Sequence, residues 1–495
     1  MRYMSRFFLI LAGFCLIQTA TAADPFQPLL DDIDHNVTPQ TTSLGDVILY
    51  LDDGRVNRKI HGGREVQGGT VVECLTFHSV PVYLDGAFHD DTEIFTMIAY
   101  PEKADPESCP GLLMLHGGGG TVQKSGFYYK LRAWAEAGYV AIGCDLPGIA
   151  GENVKDSKGT WTTVPYSQLT AHRFTTTPSI KACWLYTAEA TALKAFALLK
   201  AHPLTDPNRL GVTGISWGGY SSTFVSGLLG ERVKASFSVW GSGYYDEDSN
   251  FQKYILPTSG QSMFKNDPAS ANEWLNIMDA GRRASGIRSH FFLAAASNDN
   301  WFRPPAVNPT YLSMVNTASR NLQYAPNDNH KAKTPGGTTY VKGSPHQRRS
   351  FFLMENAFFD YHLKGEGCPM PTVSLGSSVT ALSDTRSVPV TIQHHPSITI
   401  KDITVQYSLP DQPWTRRKWL PGGTVGNQTA SPSGDLTTTT CEITLPEEVT
   451  AQSADWYVLV ITERDDGFPL TVSTPVYSGQ NGLLGPVDSI AMHRQ

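Results

Sequence analysis

The chain has 495 residues, with 39 Lys and Arg against 46 Asp and Glu, a formal charge of −7. With no basic block, binding nucleic acid through phosphate neutralisation is excluded as its principal activity. Hydrophobic residues at 40% and aromatics at 11% provide for a large buried core and exclude disorder as the main state, and the length allows roughly two to four domains.

Residues 1–6 are basic, 7–17 are apolar but shorter than a membrane span, and Ala20-Thr21-Ala22 has the small-residue pattern of a signal cleavage site. The expectation is a signal peptide over 1–22 cleaved after Ala22, and a secreted or periplasmic mature chain without a membrane span. Six cysteines then remain: Cys74, Cys109, Cys144, Cys183, Cys368 and Cys441. Disulfides are permitted in an exported chain, but the spacing names no pair and no zinc site.

Short strands are expected over 47–51, 70–76 and 94–99. From Gly111 strands and helices alternate: strand 112–115, helix 128–137, strand 139–143 and helix 184–200. In the last of these Leu185, Ala188, Ala192, Leu193, Phe196 and Leu199 follow the helical period. A turn at Asp206-Pro207, strand 210–213, helix 220–229, strands 233–240 and 291–296, and a final helix over 347–363 complete the series. Such alternation predicts a mostly parallel, doubly wound sheet. After Gly367 the helical period disappears. Alternating runs over 388–392, 398–407, 437–445 and 456–462, punctuated by Pro and Gly, predict a β-sandwich. The mature chain is therefore divided into an α/β domain over 23–368, which includes the N-terminal strands, and an all-β domain over 369–495.

Gly214-Ile215-Ser216-Trp217-Gly218 matches G-x-S-x-G between a strand and a helix, the setting in which a strained turn pushes a serine Oγ into a site. Ser216 is the candidate nucleophile. His116-Gly117-Gly118-Gly119-Gly120 follows the first core strand, and its bare backbone offers N–H donors to an oxyanion. Gly118 and Gly119, with the N–H of Trp217, are the candidate donors. A serine needs a base, and the base needs an orienting acid. Asp299, at the carboxyl end of strand 291–296, is the acid. His330, in a loop after a short strand, is the base, with His346 as competitor. Asp328 reads as a solvated loop residue.

These motifs resemble the α/β-hydrolase superfamily. The resemblance is carried by the glycine loop, Ala137-Gly138-Tyr139-Val140-Ala141, Asp145-Leu146-Pro147-Gly148, Ser216-Trp217-Gly218-Gly219, Asp299-Asn300-Trp301-Phe302-Arg303-Pro304 and the segment from Phe358 to Gly365. Within it the chain resembles acetyl xylan esterase and dienelactone hydrolase-like secreted bacterial hydrolases, over about residues 90–366. The resemblance implies an α/β-hydrolase fold and a serine esterase acting on a small-molecule or polysaccharide ester, an acetyl or methyl ester on carbohydrate. No cofactor or metal is implied. A prolyl oligopeptidase-like peptidase is the alternative, although the region before residue 90 is too short for the N-terminal propeller of that group. A third reading is a non-catalytic polysaccharide- or surface-binding protein, for which a lost triad member would be expected. The C-terminal region resembles immunoglobulin- or fibronectin-like sandwiches.

Two long loops, 149–182 and 241–289, lie where a doubly wound sheet builds its site. Trp240, Tyr244 and Trp301 are the aromatic candidates for substrate binding. Asp246-Glu247-Asp248 lacks a regular calcium-ligand spacing and reads as a solvated acidic loop.

Overall fold

A computed structural model describes residues 23–51, 54–151, 154–330, 350–376, 387–451, 454–478 and 482–483. The expected signal peptide, the start of the last helix and His346 lie outside the described residues.

Ten strands form the central sheet: β1 (Thr41–Ser43), β2 (Arg64–Gln67), β3 (Thr70–His78), β4 (Glu93–Pro101), β5 (Cys109–Leu115), β6 (Val140–Cys144), β7 (Thr205–Ile215), β8 (Ala235–Val239), β9 (His290–Ala296) and β10 (Ser319–Ala325). Their order is β1-β3-β4-β6-β5-β7-β8-β9-β10, with β2 paired to β3. The β3–β4 and β4–β6 pairs are antiparallel. Every pair from β6–β5 to β9–β10 is parallel. Strands β5, β6 and β8 are buried at every residue, as expected where helices cover both faces of a sheet. Those helices include α1 (Ser125–Glu136), α2 (Trp184–Ala201), α3 (Trp217–Leu229), α4 (Pro304–Ser313) and α5 (Ser350–Phe359).

Three local features depart from the sequence expectations. The strand expected at 47–51 is present as Val47–Tyr50, but it pairs with Val56–Ile60, which was not expected as a strand, in a separate hairpin. Loop 241–289 contains a helix, Pro268–Met278, whose start was legible: Asp267 caps it by accepting from Ser270 N–H at 3.0 Å, ahead of Pro268. The last helix runs on from Phe359 through a π turn, Asp360–Lys364, and stops at Gly365 in the left-handed conformation.

The C-terminal region forms two antiparallel sheets. One contains Thr372–Leu375, Ser387–His394, Thr424–Val425, Thr429–Ser433 and Leu436–Thr444. The other contains Ile398–Ser408, Leu420–Gly422, Asp455–Arg464, Pro469–Ser473, Tyr477–Ser478 and Gly482–Leu483. The second lies against the open edge of the central sheet. There Tyr324 N–H donates to Ser473 Oγ at 3.0 Å, and the Tyr324 ring lies 5.4 Å from that of Tyr457. The Asn308 carboxamide donates to Val476 O at 2.7 Å and accepts from Val476 N–H at 3.1 Å. One continuous apolar cluster runs from Phe26 to Val476.

Cutting the chain at Gly367 would uncover Tyr324 and leave buried polar groups without partners, each costing about 1–3 kcal/mol. The shortened protein is therefore expected to aggregate or to melt without cooperativity. Recovery of a monodisperse species with a sharp calorimetric transition would show that the β region is detachable.

Glu189, on α2, is fully buried. Its Oε1 accepts from Ser221 Oγ at 2.6 Å, and Oε2 has no partner. Burial pushes the carboxyl up to about 8 from its ordinary 4.5. The unfolded chain thus sheds this proton first, and stability falls as pH rises between those values. In thermal melts Glu189→Gln should lose less Tm than the parent between pH 5 and pH 8, and the two curves should approach each other in acid. Parallel curves across that window would refute the assignment.

Candidate active site

Strand β7 ends at Ile215 and α3 begins at Trp217, so Ser216 makes the turn between them, at φ 60° and ψ −122°. Such a conformation is strained for a residue with a Cβ and persists only where its surroundings enforce it. Ser216 N–H donates to Val239 O at 2.8 Å. The chain crosses itself closely here: a Cβ at Gly214 would lie 2.1 Å from Gly218 O, and one at Gly218 would lie 2.2 Å from Leu115 O. Glycine at both positions is what lets the serine side chain stand clear of the sheet.

Asp299 follows β9 and is 1% exposed. Its Oδ1 accepts from the N–H groups of Trp301 at 2.7 Å and Phe302 at 3.1 Å. Its Oδ2 lies 2.8 Å from His330 Nδ1, and His330 Nε2 lies 2.7 Å from Ser216 Oγ. An ionised carboxylate only accepts, so Nδ1 carries the imidazole proton and Nε2 presents its lone pair to the serine hydroxyl. The His330 ring is held between Trp240, 4.6 Å away, and Phe302, 5.9 Å away.

The loops carrying the acid and the histidine are tied to each other and to the C-terminal region. Asn298 N–H donates to Asp328 O at 2.9 Å, and Asn327 N–H donates to Ser297 Oγ at 2.9 Å. Asn298 Nδ2 donates to Arg417 O at 2.5 Å. The Asn327 carboxamide donates to Trp419 O and accepts from Trp419 N–H, both at 2.7 Å. Asp328, expected as a solvated loop residue, thus takes part in this tie through its carbonyl.

Opposite the serine, His116 Nε2 accepts from Leu146 N–H at 3.0 Å, so Nδ1 donates to Gly117 O at 2.9 Å. Burial pulls this imidazole down to about 4, leaving it a neutral brace for the glycine loop. Trp217 N–H is the first in α3 and has no acceptor within the helix. Gly118 N–H has no backbone acceptor among the described residues. Gly119 departs from expectation: its N–H is already committed to Ile149 O at 2.9 Å, which withdraws it from the set of oxyanion donors.

A cavity of about 340 Å³ opens on Ser216, Trp217, Gly118 and His330. Its walls are Tyr166, Arg173, Phe174, Phe251, Tyr254, Trp301 and Phe302, with no carboxylate among the lining residues. Of the aromatics expected to bind substrate, Trp301 lines the cavity and is 38% exposed. Trp240 is buried and supports the His330 ring. Tyr244 is also buried: its hydroxyl bonds Ser313 Oγ at 2.7 Å and its N–H donates to Asp279 Oδ1 at 2.8 Å. The site lies elsewhere because the polypeptide after Trp240 turns back into the core, where Asp279 gathers its amides. Sequence reasoning singled out the two long loops but missed Tyr166, Arg173 and Phe174 in one and Phe251 and Tyr254 in the other. Arg173 alone left a signal, as an isolated arginine in a Thr-rich stretch.

Two members of the acidic run pair with arginines, Asp246 with Arg282 and the exposed Asp248 with Arg303, each at 2.8 Å. The six described cysteines are buried free thiols. Among the described residues no His, Cys, Asp and Glu cluster could hold a metal ion, and no helix is long and apolar enough to cross a membrane.

No family model and no curated protein matches the sequence. Among solved structures, the chain is similar to an acetyl xylan esterase from Paenibacillus sp. R4 at 17% identity and TM-score 0.42, covering 62% of this chain and 88% of that one. It is similar to acetyl xylan esterase 1 from Thermoanaerobacterium sp. JW/SL YS485 at 15% identity and TM-score 0.43, covering 63% and 95%. An acylaminoacyl peptidase from Pyrococcus horikoshii aligns at 18% identity and TM-score 0.41, covering 59% of this chain and 42% of that one. Strand order, the serine turn between β7 and α3, and the chain order serine, acid, histidine identify the fold independently of these likenesses: it is the α/β-hydrolase fold, followed by antiparallel β sheets.

Proposed function

We propose that this chain is an exported serine hydrolase that cleaves carboxylic esters through an acyl-enzyme, with acetyl or methyl esters on carbohydrate as its substrates. The observation that carries the reading is the hydrogen-bonded run from Ser216 through His330 to Asp299 at a strained turn. Ser216 Oγ attacks the ester carbonyl as His330 Nε2 takes its proton. Asp299 keeps the imidazole in the tautomer and orientation this requires and stabilises the imidazolium that forms. The N–H groups of Trp217 and Gly118 receive the negative charge on the tetrahedral oxygen. His330 then returns the proton to the leaving alcohol, and water cleaves the acyl-enzyme by the same steps in reverse. Carbohydrate is favoured because the cavity walls offer flat apolar rings, Trp301 and Phe251 among them, with their centroids 5.6 Å apart.

A fluorophosphonate probe should label the protein, and labelling should vanish in Ser216→Ala. Persistent labelling would remove Ser216 from its role. His330→Ala should lower kcat roughly a thousandfold to a millionfold with the fold intact, and Asp299→Asn should lie closer to that variant than to the parent. An active His330→Ala enzyme accompanied by a dead His346→Ala one would transfer the base to His346. Acetylated and methyl-esterified polysaccharides, assayed beside aminoacyl anilides, decide the substrate class. Faster turnover of the anilides would make the enzyme a peptidase.

A further inference from the structure

Arg173 lies on the long segment between β6 and α2, is 6% exposed, and lines the cavity that holds Ser216 and His330. Its guanidinium lies over the Tyr166 ring at 4.6 Å and over the Trp217 ring at 5.1 Å. Nε donates to Gly148 O at 2.6 Å. The residue's own carbonyl accepts from Trp274 Nε1 and Cys183 Sγ, each at 2.9 Å, so backbone and side chain are both fixed.

Among the described residues Arg173 has no counter-charge. Its buried Nη2 has no hydrogen-bond partner among the described residues. Its charge interactions are with the tyrosines Tyr166, Tyr245 and Tyr254, and no carboxylate pairs with it among the described residues. Other largely buried arginines are matched: Arg282 faces Asp246, and Arg417 faces Asp455. An unpaired cation out of water is costly, and aromatic faces offset only part of that cost. Burial pulls the guanidinium below its ordinary value, as it does for a cation without an anion beside it. Arg173 therefore places a fixed positive charge on the wall of the cavity that holds the candidate nucleophile, and no acidic residue among the described lining residues neutralises it.

We propose that Arg173 receives a carboxylate carried by the substrate, so that the preferred esters are acidic ones whose anion enters the same cavity as the scissile carbonyl. The assignment rests on the reading of Ser216 as nucleophile. A guanidinium suits this task because its planar donors match carboxylate geometry and its charge persists at every working pH. A carboxylate on the acyl group and one on the alcohol are separated by the choice of ester.

The test uses the full chain and matched pairs of esters. p-Nitrophenyl hydrogen glutarate against its methyl ester places the charge on the acyl side; p-acetoxybenzoate against its methyl ester places it on the alcohol side. The parent enzyme should favour the charged member of at least one pair. In Arg173→Met the charged-to-neutral ratio of kcat/KM for that pair should fall roughly thirtyfold or more, mainly through KM, with Arg173→Lys in between. Glutarate or benzoate should also slow fluorophosphonate labelling of the parent more than the corresponding methyl esters do, a readout that does not require the variant to fold. Preference for the neutral member in both pairs, or an equal fall for charged and neutral esters in Arg173→Met, would overturn the role of Arg173. Absence of labelling in the parent would overturn the reading of Ser216 instead.

Discussion

The structure turns on the backbone at Ser216. A residue with a side chain is held at φ 60° by its N–H bond to Val239 O, by the first turn of α3, and by the contact of Gly214 with Gly218. Because β7 pairs with β5 on one side and β8 on the other, the turn emerges at the carboxyl end of the sheet beside the glycine loop after β5. Local strain and sheet topology thus act together. The first exposes the hydroxyl, and the second decides what it faces.

The partners of the serine are held less by the sheet than by what covers its edge. Asp299 and His330 come from loops after β9 and β10, and both loops are tied to the segment at Arg417 and Trp419. The C-terminal sheets therefore serve as a brace for the acid and the histidine, in addition to burying Tyr324 and Tyr457.

Charge is distributed unevenly between the site's walls and its surroundings. The acidic residues near the cavity, Asp246 and Asp248, are taken up by Arg282 and Arg303, and Asp279 is turned toward backbone amides. Among the described residues the cavity lining keeps Arg173 and no carboxylate. Aromatic rings supply much of the rest of the described lining.

The amino-acid sequence by itself determined the features that depend on short-range rules. The apolar runs of β5, β6 and β9, the helical period of α2, and the glycines required around Ser216 are each legible within a few residues. The placing of Ser216, Asp299 and His330 at one end of the sheet was legible too, since a parallel sheet puts the loops after its strands at one end whatever the long connections do. Only the tertiary structure decided matters that depend on residues distant in sequence. Gly119 N–H bonds Ile149 O, Tyr244 folds into the core toward Asp279, and Val47–Tyr50 finds its partner in Val56–Ile60. Arg173 gained its setting from Tyr166, Gly148 and Trp217, which no spacing rule connects. Burial, and the pairing of polar groups that burial enforces, is a property of the assembled fold, and for that reason it could not be read from the sequence pattern alone.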